Sequence, residues 1–479
     1  VTDPIDDARD RPLADTTAGR VRGITGDDGI RRFLGIPSAK PPFGARRFGV
    51  PEPVDPWDGE REATEFGPTA PQNPYRGHLA TFIDVPIVSG EDILTVNVWT
   101  PADAQDAPVV LWLHGGGLER GAASQEGYDG STFARDGIVF VSANYRLGAE
   151  GFSVLDDAPR NLGLRDAAAA LAWVEREITA FGGDPSRITL MGESAGGALV
   201  AALAARADTR RMITGAIIQS APLEVAPVKK ARRASDAIAR ALSVDTTRAG
   251  FSSIAPRELL RTRAQIVGES TLLDGPAGFT LVLDDETLPG SPVELLRDAG
   301  IPLLIGTNTE EYRLWLSPEA VAGISRAKSA TIRRLLGVSG RATRAIRPAF
   351  PGASPGEVLG QAVTDLMLRG PATRVAASRA CATYVYEFAW PSPVGGLGAA
   401  HAVEIAFAFG RLDSDDALRL NGSDAPATLA LKMHEAWVSF IRDGDPGWPP
   451  YAHDRTTKVW DLPDTVGPQR RTGIVDALM

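Results

Sequence analysis

A single cysteine, Cys381, is all that 479 residues contain, so no intrachain disulfide can form. It stands in or just before the strand-like run Thr383 to Ala389, where a buried structural thiol is expected. Positive charge is scarce as well. Fifty Lys and Arg against sixty Asp and Glu leave a formal net charge of −10, which argues against a sequence-independent nucleic-acid binder, since that would carry a basic stripe. The short run Lys229-Lys230-Ala231-Arg232-Arg233 reads as a solvated helix face. No apolar run approaches the ~20 residues that span a bilayer, and Val1-Thr2-Asp3-Pro4 is not a signal peptide. A cytoplasmic enzyme is expected, with a processed secreted one as the alternative. No H-E-x-x-H or clustered His/Cys spacing occurs, so no metal is implied. Gly115 to Gly117 lacks both the lysine of a phosphate-binding loop and the spacing of a dinucleotide fingerprint, so no nucleotide cofactor is implied either. Repeats and low-complexity tracts are absent, and nothing in the chain reports its oligomeric state.

What is present is ordinary globular composition, 43% hydrophobic and 23% charged. The stretch to about Arg11 is acidic and is expected to be poorly ordered. Thr17 to Ile24 and Ile30 to Ile36 read as a hairpin about Asp27-Asp28-Gly29, the start of a small N-terminal β-sheet joined by Asp92 to Trp99. Apolar runs then recur at Val109 to Leu113, Ile138 to Ser142, Ile188 to Met191, Ala216 to Gln219, Ile301 to Ile305 and Tyr384 to Phe388. Helical periods lie between them, as over Leu164 to Phe181, which Gly182-Gly183-Asp184-Pro185 stops, and over Thr428 to Arg442. Strands apolar throughout and alternating with helices imply an α/β fold, a large, mostly parallel central sheet covered by helices on both faces. One catalytic domain over 1–479 is expected, with helical excursions at about 227–263 and 318–346.

The chemistry centres on Gly192-Glu193-Ser194-Ala195-Gly196, where a strand runs into a helix-permitting stretch. G-x-S-x-G in that context puts the serine on a strained elbow, with glycines removing the Cβ atoms that would clash. A second match, Gly352-Ala353-Ser354-Pro355-Gly356, fails because Pro355 has no N–H to lend an oxyanion. A serine hydroxyl needs a base, and the base an orienting acid. In the strand-to-helix serine hydrolases the histidine comes last in the chain, which sets aside His78 and His114. His434 lies inside a helix and His453 in a Pro-rich surface segment, whereas His401 follows a glycine-rich loop just past a strand. The acid is expected at a strand end between serine and histidine. Glu310 and Glu311 qualify better than Asp284 and Asp285, and spacing does not choose between the two glutamates. One should face the histidine and the other water. His114-Gly115-Gly116-Gly117, after another strand, can turn backbone N–H groups toward a developing oxyanion.

From about Thr17 to Tyr451 the chain resembles the type-B carboxylesterases, the cholinesterase and carboxylesterase family with the α/β-hydrolase fold. The markers run in order: Glu91 to Val98 (E-D-I-L-T-V-N-V), Trp112 to Gly117 (W-L-H-G-G-G) and Asn144 to Gly148 (N-Y-R-L-G). Phe181 to Pro185 (F-G-G-D-P), Gly192 to Gly197 (G-E-S-A-G-G) and Gly306-Thr307-Asn308 with its glutamate follow. The resemblance implies ester hydrolysis through an acyl-enzyme on Ser194, with His401 as base and Glu311 as acid. Tyr312 replaces the glycine usual after that acid. It implies Gly116, Gly117 and Ala195 as oxyanion donors, Ser220 as support for the acid, and Glu193 as a residue that fixes the elbow rather than one that does chemistry. Activity is expected to rise through about pH 6 to 7, the unperturbed histidine range.

Ala70 and Ile93 stand where secreted relatives bridge two cysteines, which leaves that loop unstapled and free to move. Glu119 and Arg120 replace the apolar residues common after the oxyanion glycines. An ion pair, to each other or to a neighbour, is the plainer expectation, and recognition of a polar substrate the sharper one. Leu118, Glu119, Leu223, Trp315 and Phe407 are expected to form the pocket for a small-molecule ester. Acyl transfer to an alcohol or amine and amide or carbamate hydrolysis use the same triad, and a noncatalytic binding protein is the rival from another class.

Overall fold

The computed structural model describes residues 11–269 and 278–477. The stretch before Arg11, expected to be poorly ordered, lies outside the described residues. An eleven-stranded mixed sheet forms the centre. Its middle seven strands are parallel, in the spatial order Thr456–Trp460, Thr383–Phe388, Leu303–Asn308, Gly215–Gln219, Gly183–Glu193, Ala107–Leu113 and Val139–Ala143. Antiparallel strands close both edges: Thr465–Pro468 at one, and Thr95–Thr100, Arg31–Pro37 and Ile24–Thr25 at the other.

Every residue of the strands Ala107–Leu113, Val139–Ala143, Gly215–Gln219 and Leu303–Asn308 is buried, which is why they read as unbroken apolar runs rather than alternating ones. The two-residue period still sorts their side chains. Val109, Leu111 and Leu113 pack with Leu164, Leu171 and Val174 of helix Leu162–Glu177 and with Leu199 and Val200 of helix Ala195–Ala205. Val110 and Trp112 point the other way, into a cluster with Met433, Trp437 and Phe440 of helix Ala427–Asp443. Helix Leu162–Glu177 tightens into a 3-10 turn, Ile178–Phe181, and ends at Gly182 in the left-handed region (φ 82°). Gly183 already belongs to the next strand, so one glycine of that pair stops the helix and the other starts the sheet.

Three local expectations change. The hairpin over Thr17 to Ile36 is divided between two sheets. Ile24–Thr25 pairs with Arg31–Pro37 across the expected turn, but Arg20–Arg22 joins Leu13–Asp15 and Glu60–Glu62 in a separate three-stranded sheet. Thr95–Thr100, expected in the small sheet, pairs into the large one. Cys381 is half-buried rather than buried, because it precedes the strand Thr383–Phe388 instead of lying in it.

The sequence marker Asn144-Tyr145-Arg146 acquires a structural meaning. Arg146 Nε and Nη2 donate to the two Asp166 carboxylate oxygens at 2.7 and 2.6 Å, Nη1 donates to Gly49 O at 2.8 Å, and both charged side chains are almost wholly buried. This fork ties the end of one parallel strand to the helix that covers it.

Candidate active site

The carboxyl ends of the parallel strands gather the chemistry, the edge where sheets of this class hold their ligands. Ser194 follows the strand Gly183–Glu193 and caps the helix Ala195–Ala205 with φ 54° and ψ −122°, a conformation a residue with a side chain adopts only under constraint. The constraint comes from close packing of backbone on backbone. A Cβ on Gly196 would stand 1.9 Å from Leu113 O, and one on Gly192 would stand 2.6 Å from the Gly196 carbonyl carbon. The Ser194 N–H donates to Gln219 O at 2.9 Å, which pins the turn to the neighbouring strand end.

After the strand Ala107–Leu113, Gly116 (φ 111°) and Gly117 (φ 64°) adopt conformations that favour glycine. Among the described residues, neither amide N–H has a protein acceptor. Ala195 opens its helix, so its N–H is one of the donors a helix leaves unpaired within itself. The loop is braced at Gly121, whose N–H donates to Gln72 Oε1 at 2.8 Å and whose carbonyl accepts from Gln72 Nε2 at 2.9 Å. His114 is a buried part of the scaffold. Its Nδ1–H donates to Gly115 O at 2.8 Å, its ring stacks on Tyr145, and burial pushes its pKa down to about 4, so it stays neutral.

His401 and Glu311 meet across the next strand ends. His401 Nδ1–H donates to Glu311 Oε2 at 2.6 Å, and the carboxylate's other oxygen accepts from Ser220 Oγ–H and from Asn308 N–H, each at 2.7 Å. Glu311 is wholly buried. Of the two neighbouring glutamates, then, Glu311 faces the imidazole, whereas Glu310 pairs with Arg313 at 2.8 Å. Asp284 is elsewhere, capping Thr287 and facing Arg160. His434 is structural, bonded to Ala408 O and Asp136, and His453 is exposed.

The remaining nitrogen, His401 Nε2, lies 2.9 Å from Glu193 Oε1 without the alignment of a hydrogen bond. Ser194 and His401 line the same cavity, although no hydrogen bond joins them in this arrangement. Glu193 was expected only to fix the elbow. Instead its carboxylate faces the imidazole and lines the cavity. Glu404, three residues past His401 in sequence, is also wholly buried and accepts from Asn308 Nδ2 at 2.5 Å. Burial opposes a charge on His401, but Glu193 and Glu311 outweigh it and raise its pKa well above the ordinary value. Burial raises Glu193 as well. For Glu404, burial together with its neighbours Glu193 and Glu311 pushes the carboxyl up to about 8. Three carboxylates thus share the surroundings of one imidazole.

The cavity holds about 270 Å³. Its walls are mainly apolar, with Leu79, Phe82, Ile83, Leu314, Trp315 and Leu368 among them, while Tyr75, Tyr128 and Asp416 add polar groups. Trp315 was expected here and packs on His401 with ring centroids 4.7 Å apart. The other expected pocket residues are not among the lining. Leu118 and Leu223 are buried in the main core, and Phe407 packs on Phe388 and Trp390. Glu119 is taken up by Arg263 at 2.8 Å, the plainer of its two expectations, and Arg120 lies over the Tyr75 ring and donates to Asn73 O.

A family model described as "Carboxylesterase family" matches residues 10–467. The chain belongs to the carboxylesterase family. It is 35% identical to the phenmedipham hydrolase of Pseudarthrobacter oxydans, over 93% of this chain and 94% of that protein. It is 33% identical to the para-nitrobenzyl esterase of Bacillus subtilis (strain 168), over 95% and 96%. A crystal structure of a Geobacillus stearothermophilus carboxylesterase superposes with a TM-score of 0.87 at 32% identity, covering 98% of this chain and all of that one. This carboxylesterase is accordingly a carboxylic-ester hydrolase with the α/β-hydrolase fold. Among its described residues no helix is long and apolar enough to cross a membrane.

Two departures from the family now have a physical setting. Ala70 and Ile93 are both buried in the main apolar cluster, so packing occupies the place of the missing bridge. Tyr312 is buried, its ring filling the space a Cβ on Gly360 would enter, and its N–H donates to Thr364 Oγ1. Asn308 and Glu404 are the partners that reading the sequence missed.

Proposed function

We propose that the esterase hydrolyses neutral carboxylic esters by two acyl transfers, with Ser194 as nucleophile, His401 as general base and Glu311 as the acid that orients it. His401 Nε2 takes the Ser194 proton as Oγ attacks the ester carbonyl, and the negative oxygen is held by the N–H groups of Gly116, Gly117 and Ala195. The tetrahedral centre collapses, the alkoxide leaves with the proton from His401, and an acyl-serine remains. Water repeats the sequence and releases the acid. The observation that carries this reading is the 2.6 Å bond between His401 Nδ1 and Glu311 Oε2, which directs Nε2 into the cavity that Ser194 lines. Ser220 supports the acid through its 2.7 Å bond. The excursions at 227–263 and 318–346 are insertions on one catalytic domain.

A p-nitrophenyl phosphonate tests the assignment. The native enzyme should lose activity stoichiometrically and gain one phosphonyl group on the peptide containing Ser194, and Ser194→Ala should gain none. Labelling at another residue would overturn it.

A further inference from the structure

The helices that follow Trp315, Pro318–Ala322, Arg326–Leu335 and Gly340–Ala349, carry a charge balance opposite to that of the molecule. From Pro318 to Ser354 there are seven arginines and lysines and one acid, Glu319, in a chain of net charge −10. Elsewhere buried arginines are answered by carboxylates, as in Arg47–Glu150, Arg146–Asp166 and Arg369–Asp365. In this lobe the exposed Arg326 and Arg347 and the half-buried Arg333 have no carboxylate partner among the described residues, and all three line one cleft of about 340 Å³.

The cleft's other walls cannot balance that charge. Arg333 donates to Ser329 Oγ at 3.4 Å and to Thr343 Oγ1, both uncharged. Burial, and after it the neighbouring charge of Arg347, holds the Arg333 guanidinium below its usual pKa. Ser329 Oγ–H is already given to Pro355 O at 2.8 Å. The nearest acid on the adjoining helix, Glu357, turns away to Ser354 N and Arg313. Phe350 adds an apolar wall. The cleft shares no lining residue with the catalytic cavity.

We infer that Arg326, Arg333 and Arg347 form a binding site for a phosphate group, carried by a small soluble molecule or by a lipid. A doubly charged tetrahedral anion offers oxygens in the fork geometry that guanidinium matches, and it supplies the negative charge the cleft lacks. Phe350 suits an apolar portion of the carrier. Leu335 and Leu336, exposed at the end of the helix that bears Arg326 and Arg333, are placed to enter a lipid interface beside the bound headgroup.

The test uses the full chain and two probes, inorganic pyrophosphate followed by calorimetry and co-sedimentation with vesicles of phosphatidic acid in phosphatidylcholine. Hydrolysis of p-nitrophenyl acetate serves as the folding control. Binding of either probe, weakened about tenfold or more in Arg333→Gln/Arg347→Gln with hydrolysis unchanged, is the expected result, since each lost charged hydrogen bond is substantial. Arg326→Gln, at an exposed position, provides a second variant should the double one fold poorly. Vesicle binding that also falls in Leu335→Ser assigns the phosphate to a lipid, and pyrophosphate binding alone assigns it to a soluble molecule. No binding of either probe, or binding equal in wild type and variants, overturns the site.

Discussion

His401 is held by more negative charge than its orientation requires. Glu311 alone fixes the ring, and Glu193 beside Nε2 is a second carboxylate that favours the protonated imidazole. The proposed base must be neutral to act, and a pKa raised in the folded enzyme means the neutral form is lost as pH falls through that raised value. The kcat/KM profile on p-nitrophenyl acetate should therefore rise with a midpoint above 6.5, higher than the sequence alone led one to expect. Glu193→Gln should move the midpoint down, and an unmoved midpoint would remove Glu193 from this role. The cavity walls also include Asp416 and no lysine or arginine. Esters carrying a carboxylate should be turned over about tenfold less efficiently than neutral isosteres, since like charges a few ångströms apart in a part-buried cavity repel strongly. Asp416→Asn should narrow that gap. Ser194 was legible in the sequence because the elbow is local, a strand, a turn and a helix in the one stretch from Gly183 to Ala205. Glu193 facing His401 was not, because that contact depends on how two distant strand ends meet.

At the scale of elements, the rejected serine motif at Gly352 to Gly356 turns out to have a use. Ser354 is the N-cap of helix Pro355–Thr364, accepting from the Glu357 N–H at 3.3 Å, while the Glu357 carboxylate accepts from the Ser354 N–H at 2.8 Å. Loss of such a capping box costs about 1 kcal/mol. Ser354→Ala should lower stability to urea by that amount and leave kcat unchanged. The central strands were legible as apolar runs because both of their faces are covered. The pocket walls were not, since Tyr75 to Ile83, Leu314-Trp315, Met367-Leu368 and Ile405 to Leu420 come from four separate segments with no shared local pattern. Glu119 shows the same limit. Gly117 and Gly121, two residues to either side, line the cavity, but Arg263, 144 residues away, determines where Glu119 points.

For the molecule as a whole, the Arg146–Asp166 fork is a point on which distant parts depend. Removing one partner of a buried ion pair strands the other, at a cost of about 3 to 5 kcal/mol. Arg146→Met should accordingly shorten the half-life at elevated temperature and lower the urea midpoint, and a neutral result would show that water reaches Asp166. The loop that supplies Tyr75 and Leu79 to the catalytic cavity is fastened by apolar burial of Ala70 and by the Gln72 amide, with no sulfur atom taking part. Its hold on the cavity wall is therefore indifferent to the redox state of the surroundings. Dithiothreitol should leave both kcat and KM as they were, and the same wall should stand unchanged in a reducing or an oxidising medium.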